Sequence, residues 1–447
     1  MCVNNRIGGY GDAHLKYAIV GAGGRHRMFR DAITKTHSST NELVALCDVN
    51  PERLALSARQ TPRQRGNGIA TYAASEFDRM LAEQNPDAVI VTVPDDLHDE
   101  YIVRALRSGR DVITEKPMTI DLVRLKRVLD AQRETGRNVT VTFNYRYSPA
   151  RTQLKQMLMS GVIGDIQAVD FRWYLDRVHG ADYFRRWHRY KHRSGGLLVH
   201  KSTHHFDLMN WWVDSTPITV AANGKRAFYT PEMAVKLGLK NHGPRCHGCP
   251  VFDRCDYRLH LEGDDELREL YLDAEDADGY FRDRCVFDSD ITIEDTMQVE
   301  AEYANGVFLN YTLCAYSPWE GFEITFQGTK GDIVHKHVEV HGVFGGQKRQ
   351  RGDASESFST VLHLAGALPQ KIDVPYGEGE HGGADPTMLG YVFEAEHMEP
   401  DKYRRASTHK EGAWSILTGI AANQAIATGR KVNIDEMLAG AGIVLER

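Results

Sequence analysis

The chain lacks the features that would take it out of water. No run approaches the roughly 20 apolar residues that a membrane span needs. The first residues, MCVNNRIGGYGDAH, hold no apolar signal core, so a cytoplasmic protein with no membrane partner is expected. Surplus positive charge is also lacking. A formal net charge of -7 speaks against nucleic acid as a partner. Neither an internal repeat nor a low-complexity tract stands out, which sets solenoid and disordered architectures aside. Cysteine is scarce and uneven: Cys2, Cys47 and Cys314 stand apart, while Cys246, Cys249, Cys255 and Cys285 fall close together. In a cytosolic chain such clustering points to a metal more than to disulfides.

What is present is an ordinary globular composition spread over 447 residues, more than one core usually serves, so two domains are expected. From Lys16 to about Val141, short β-branched runs (KYAIVGAG, ELVALCDV, DAVIVTVP, RDVITEKP) alternate with helical stretches such as DEYIVRALRSG and LVRLKRVLDAQRETG. That alternation predicts a parallel sheet with helical crossovers. After NYRYSPA come one helix, ARTQLKQMLMSG, and then longer alternating strands: IQAVDFRWYL, TMQVEAEYANGVFLNYTLCAY, FEITFQGTKGDIVHKHVEVHG and the segment around Val361. These suit an antiparallel sheet with one solvated face. HKEGAWSILTGIAANQAIATG closes the chain as a helix. The expected class is α/β: a doubly wound parallel sheet over residues 1–146, then an α/β domain with an open, mostly antiparallel sheet over 147–447. That second domain carries a cysteine-rich insertion at about 226–290.

VGAGGRHRMF follows the first strand and opens a helix, the place of a dinucleotide fingerprint in a Rossmann domain. Gly21, Gly23 and Gly24 would let backbone N–H groups approach a pyrophosphate, with Arg25 beside them. His26 stands where the third glycine of G-x-G-x-x-G belongs. Asp48 ends the second strand, where a carboxylate accepts from a ribose 2′-hydroxyl and repels a 2′-phosphate, so NAD is expected rather than NADP. The plain alternative is a tight strand–helix turn with no ligand. Further on, TEKPMT puts Lys116 at the carboxyl edge of the sheet, where doubly wound folds bind ligands. Pro117 turns the chain there, through a bond open to the cis form. Lysine at that point can hold a substrate hydroxyl and help withdraw its proton; otherwise it is a surface lysine in a turn.

Fingerprint, CDVNPERL, VPDDLH, EKP, NYRY and GVIGDI occur in one order, and together they resemble the glucose–fructose oxidoreductase/inositol dehydrogenase (Gfo/Idh/MocA) family. The resemblance runs from about residue 15 to 225 and returns at GTKGDI and in the final helix. It implies an NAD-binding Rossmann domain followed by an α/β domain whose sheet covers the nicotinamide and often makes an oligomer interface. A homo-oligomer, dimer or tetramer, is therefore expected. By the same resemblance Pro94, His98 and Glu115 join the cofactor side, and Tyr145 and Arg146 of NYRY the substrate side. The family's later segment, roughly Asp-x-Gly-x-His-x-x-Asp, corresponds to HKSTHHFD here. His204 takes the histidine's place and Asp207 the last aspartate's. His200 replaces the first aspartate and Ser202 the glycine, and Lys201 and His205 add polar groups.

His200 and His204, four apart, are expected to share a helical face. A histidine titrating near neutrality suits a general base for an alcohol losing hydride; core-capping histidines or a metal pair are the alternatives. Upstream, YFRRWHRYKHRSGG reads either as a solvated face or as a loop over the substrate. In the second case Arg186, His188 and Arg193 would suit an anionic group. GEHGGADPTM offers His381 and Asp385 for sugar hydroxyls, or is a plain loop.

Two reactions fit this set. A net dehydrogenase oxidises a sugar or polyol and releases the ketone. Alternatively, transient oxidation at C3 acidifies the C2 proton, the aglycone leaves by elimination, water adds, and the hydride returns; NAD-dependent glycoside hydrolases of this superfamily work so. The histidines around position 200 and the missing aspartate tilt the reading to cleavage, and the cationic loop to an anionic glycoside such as a sulfoquinovoside. A non-catalytic NAD-binding sensor is the third reading. Finally, CHGCPVFDRC gives Cys-x2-Cys-x5-Cys with Cys285 after 29 further residues. Four thiolates suit a structural Zn²⁺ organising the insertion, with an iron–sulfur cluster or four buried free thiols as alternatives.

Overall fold

The computed structural model describes residues 14–64, 68–341, 357–375, 377 and 383–447. The chain forms two compact units. The first takes the residues up to Asn144, together with Leu261–Phe281 and Asp385–Ala413; the second takes Tyr145–His260, Arg282–Ala384 and Trp414–Arg447. The sequence reading kept everything after 146 in one domain and the insertion in one piece. Two later segments instead fold with the first unit. Their anchors are apolar groups far apart in sequence: Phe393 meets Tyr17 edge to face at 5.2 Å, and Leu270 and Tyr271 pack on Leu56.

In the first unit six strands form one sheet in the order β3-β2-β1-β4-β5-β6, and every pairing is parallel. They are β1 (Leu15–Val20), β2 (Asn41–Asp48), β3 (Ala70–Ala73), β4 (Ala88–Val91), β5 (Asp111–Thr114) and β6 (Val139–Val141). This is the doubly wound order expected from alternating strands and helices. β4 and β5 are buried on both faces, as helix-covered parallel strands must be. The crossover helix Pro51–Gln60 starts where Asn50 accepts from the N–H groups of Glu52 and Arg53, with Pro51 at its first position, a strong start signal.

The second unit holds a nine-stranded sheet in the order β14-β13-β12-β11-β7-β10-β9-β8-β15. Its strands are β7 (Ile166–Asp176), β8 (Pro217–Lys225), β9 (Thr296–Tyr303), β10 (Phe308–Ser317), β11 (Glu320–Gly328), β12 (Gly331–Val340), β13 (Phe358–Leu364), β14 (Gln370–Ile372) and β15 (Val432–Asn433). All pairs are antiparallel except β10 with β7. Alternation along β7 buries Val169, Phe171, Trp173 and Leu175. Helix Thr203–Val213 covers that face: His205 stacks on Trp173 at 3.9 Å, and Trp212 meets Phe171 edge to face. Each large side chain so buried contributes roughly 2–3 kcal/mol, which holds the helix, and the polar residues it carries, firmly on the sheet. Among the described residues no helix is long and apolar enough to cross a membrane.

Candidate active site

The first unit supplies a dinucleotide cradle. Gly21 adopts φ +97°, and a Cβ there would come within 2.6 Å of the Thr92 carbonyl carbon, so both conformation and close approach require glycine. Around Gly23 a Cβ would meet nothing within 4 Å, which leaves the open space a pyrophosphate needs. Asp48, at the end of β2, accepts from Ala22 N–H at 2.5 Å and from Asn50 N–H at 2.7 Å. Its carboxylate thus ties the glycine turn to the ribose end of the site. The cradle fits NAD. His26, in place of the third glycine, is buried, with its ring between Gly23 O and Ser57 Oγ. Burial pushes its pKa from the ordinary 6.5 down to about 4. It pins the glycine loop to helix Pro51–Gln60.

At the other end of the cradle Arg25 donates to Glu115 at 2.7 Å, and Thr142 donates to the same carboxylate at 3.2 Å. Pro94 caps a short turn, Asp95–Leu97. His98 sets its two ring nitrogens 2.8 Å from Pro117 O and 2.9 Å from Val93 O, so it braces the chain that carries Lys116. The Lys116–Pro117 bond is cis, and Lys116 is half-buried directly after Glu115. Asp385 also belongs to this unit: it accepts from Asn144 Nδ2 at 2.6 Å and lies 4.0 Å from Arg25. His381 lies outside the described residues.

The second unit gathers the histidine segment, in an arrangement that differs from the expected one. The chain forms two helices, Leu197–His200 and Thr203–Val213, with Lys201 and Ser202 between them, so His200 and His204 do not share one helical face. Ser202 is buried and meets the Tyr311 hydroxyl at 2.9 Å. His204 stacks on Tyr145 at 4.3 Å, and Lys201 Nζ donates to the Tyr145 hydroxyl at 3.1 Å. His200 instead meets the edge of His188 at 4.2 Å and of Tyr183 at 5.5 Å. Arg146 and Asp207, both expected at the substrate, form a buried bidentate pair at 2.8 and 2.6 Å. That pair fastens the NYRY turn to helix Thr203–Val213.

The cationic segment is largely neutralised within its own unit. Arg185 donates to Tyr257 O and Arg186 lies 3.4 Å from Asp182. Arg189 pairs with Asp288 and Asp290, and Lys191 with Glu294. Arg193 lies 6.0 Å from the Trp187 ring centroid, and His188 stacks on that ring at 3.7 Å. Most of the positive charge that suggested an anionic substrate is thus spent on carboxylates of the same unit.

Beside His188 and His200 lies a chain that the sequence reading missed. Glu320 Oε1 sits 2.6 Å from His179 Nδ1, and His179 Nε2 sits 2.8 Å from the Tyr183 hydroxyl. A carboxylate only accepts, so Nδ1 carries the hydrogen and Nε2 accepts from the tyrosine in the neutral ring. Glu320 is buried. The i, i+4 spacing of His179 and Tyr183 on one helix, His179–Arg185, was the available signal; Glu320, 141 positions from His179, gave none.

Around the insertion, His242, Cys246, Cys249, Cys255 and Cys285 line one small cavity. Each thiol accepts a backbone N–H: Cys246 from Leu259, Cys249 from Gly243, Cys255 from Tyr257 and Cys285 from Phe287. Burial pushes the Cys285 thiol up to about 12. Among the described residues, the set of three ligand-type groups whose donor atoms fall within 4.8 Å of one another is His242, Cys285 and Asp288. It shares Cys285 with the expected four thiols, and His242 Nδ1 reaches Cys285 Sγ at 3.3 Å.

A doubly wound parallel sheet with this glycine cradle defines an NAD-dependent oxidoreductase. The profile of the oxidoreductase family's NAD-binding Rossmann fold matches residues 15–143, and that of its C-terminal alpha/beta domain matches residues 155–434. The chain belongs to the Gfo/Idh/MocA oxidoreductase family. It is 35% identical to the YteT oxidoreductase of Bacillus subtilis (strain 168) over 92% of this chain and 95% of that one. Inositol 2-dehydrogenase of Rhizobium meliloti (strain 1021) is 26% identical, over 46% of this chain and 58% of its own length. In fold, it resembles the WlbA dehydrogenase from Bordetella pertussis, solved in complex with NADH and UDP-GlcNAcA. The TM-score there is 0.63 at 19% identity, covering 95% and 99% of the two chains.

Proposed function

We propose that this enzyme oxidises a ring carbinol of a sugar, at C3, as the first step of redox-neutral glycoside cleavage. NAD held in the glycine cradle would supply both the hydride acceptor and the later hydride donor. Lys116 holds the reacting hydroxyl and helps withdraw its proton. His204, aligned by its stack on Tyr145 with Lys201 behind, acts as base for that carbinol. His200 takes the C2 proton that the ketone acidifies. Tyr183, backed by His179 and Glu320, turns its hydroxyl proton from His179 Nε2 to the leaving aglycone, and its phenolate then takes a proton from the attacking water. The Glu320–His179–Tyr183 chain ending against His188 and His200 carries this reading. Net oxidation needs one base, whereas elimination and hydration need a second base and an acid. Of the sequence-derived residues, Glu115, Asp385, Arg146 and Asp207 serve as bracing groups in this reading.

Net dehydrogenation of a sugar or polyol is the second reading, favoured by the likeness to inositol 2-dehydrogenase over part of its length. Incubating the enzyme with NAD and aryl glycosides separates the two. Aglycone release without net NADH supports cleavage, and stoichiometric NADH without aglycone refutes it. Paired sulfoquinovoside and neutral glucoside substrates test the anionic preference that the arginines between residues 183 and 196 suggest. The cysteine cavity is proposed to hold a structural metal, zinc before an iron–sulfur cluster, with Cys285 as an anchoring ligand. Support comes from the four N–H···S contacts, which favour thiolates. We further infer self-association as a dimer or tetramer, to be measured by light scattering.

A further inference from the structure

Residues Leu261–Phe281, the middle of the insertion, pack along the cofactor cradle of their own unit. They touch it at three successive places. Glu266 pairs with Arg27, on the helix that the glycine loop opens. The Tyr271 hydroxyl accepts from Gly24 N–H at 3.3 Å, inside the loop itself. Ala274 O accepts from Asn50 Nδ2 at 2.8 Å, and Asp278 pairs with Arg53, on the helix that follows Asp48. Beneath these contacts Leu270 and Tyr271 are buried against Leu56.

The contacts therefore coincide with where a pyrophosphate and its adenosine ribose are held: the Gly24 N–H of the glycine loop, and Asn50 and Arg53, two and five positions after the acid. The Tyr271 hydroxyl lies 3.3 Å from Gly24 N, beside the place of a dinucleotide phosphate, and a phenol O–H is a donor to a phosphate oxygen. Asp278 adds a carboxylate to the Arg53 side, against a 2′-phosphate. No ordinary crossover needs such a segment, since the sheet and its helices are complete without it.

We propose that residues 261–281 are a strap completing the dinucleotide site, with Tyr271 as a phosphate ligand, and that NAD(H) is thereby retained through turnover. The strap uses only the NAD site that the family gives and holds whether the reaction is cleavage or net oxidation. A retained cofactor does suit a hydride that is borrowed and returned, because nothing then requires NADH to leave.

The test measures retention directly. Purified full-length protein is gel-filtered, denatured, and its NAD(H) counted per chain; release of NADH is then followed by fluorescence during a chase with excess NAD. About one cofactor per chain should survive filtration in the native protein. Tyr271→Phe, which keeps the ring on Leu56 and Leu270, should speed release about 10-fold, and Tyr271→Ala on the order of 100-fold. An unchanged urea midpoint for Tyr271→Phe shows that its fold is intact. Loss of the native cofactor on filtration, or release rates unchanged by both substitutions, overturns the proposal. Neither result bears on aglycone release, so failure here is distinguishable from failure of the reaction assigned above.

Discussion

Asp207→Ala separates a bracing role from a catalytic one. The Arg146–Asp207 pair is bidentate, and the two side chains are 4% and 1% exposed. Removing the carboxylate leaves a guanidinium buried among Trp211 and its neighbours without its two-point counter-charge. Breaking such a pair from one side costs about 3–5 kcal/mol. Replacing both partners with apolar groups of similar volume costs far less, because no charge is then left behind. Urea unfolding followed by circular dichroism should therefore show a large fall in midpoint for Asp207→Ala. Most of that loss should be recovered when Asp207→Leu is combined with Arg146→Met. A single-variant loss below about 1 kcal/mol would refute the bracing role, as would a double variant no more stable than the single.

Three further outcomes follow. Because burial lowers the His26 pKa from 6.5 to about 4, protons bind the unfolded chain first as pH falls. Its stability is fully present above about pH 6.5 and is lost between there and about pH 4, by roughly 3 kcal/mol in all; thermal melts of His26→Gln should lack that part of the slope. Lys116→Met should lower turnover about 10²–10⁴-fold while NADH fluorescence titration shows the cofactor still bound; unaltered turnover would remove Lys116 from the chemistry. Metal analysis should find about one zinc per chain in the native protein and a loss of it in Cys285→Ala, and a metal-free native protein would end the metal reading.

The first unit was legible in the sequence because its signals are local. Glycines, acid and the lysine–proline pair each sit at a strand end, and the strands are continuous apolar runs. Strand β6 escaped, since three residues carry no period, and β3 (ATYA) lacks the continuous apolar run that marks β4. In the second unit the strand pattern was readable, but the partners of its polar residues were not. Spacing puts His200 and His204 on one face of a single helix; two short helices with Lys201 and Ser202 between them carry these residues instead. The resemblance puts Arg146 and Asp207 at the substrate, yet a buried arginine needs a counter-charge wherever the chain can bring one. Glu320 and Tyr271 act through contacts with residues more than a hundred positions away, which no spacing rule records.

Isotope tracing shows whether the hydride is borrowed and returned. The enzyme, with NAD, is given an aryl glycoside carrying deuterium at C3, first in water and then in deuterium oxide. A returned hydride gives a released sugar that keeps its C3 deuterium, gains solvent deuterium at C2, and leaves no net NADH. Deuterium accumulating in the reduced cofactor, with C2 unexchanged, would contradict it.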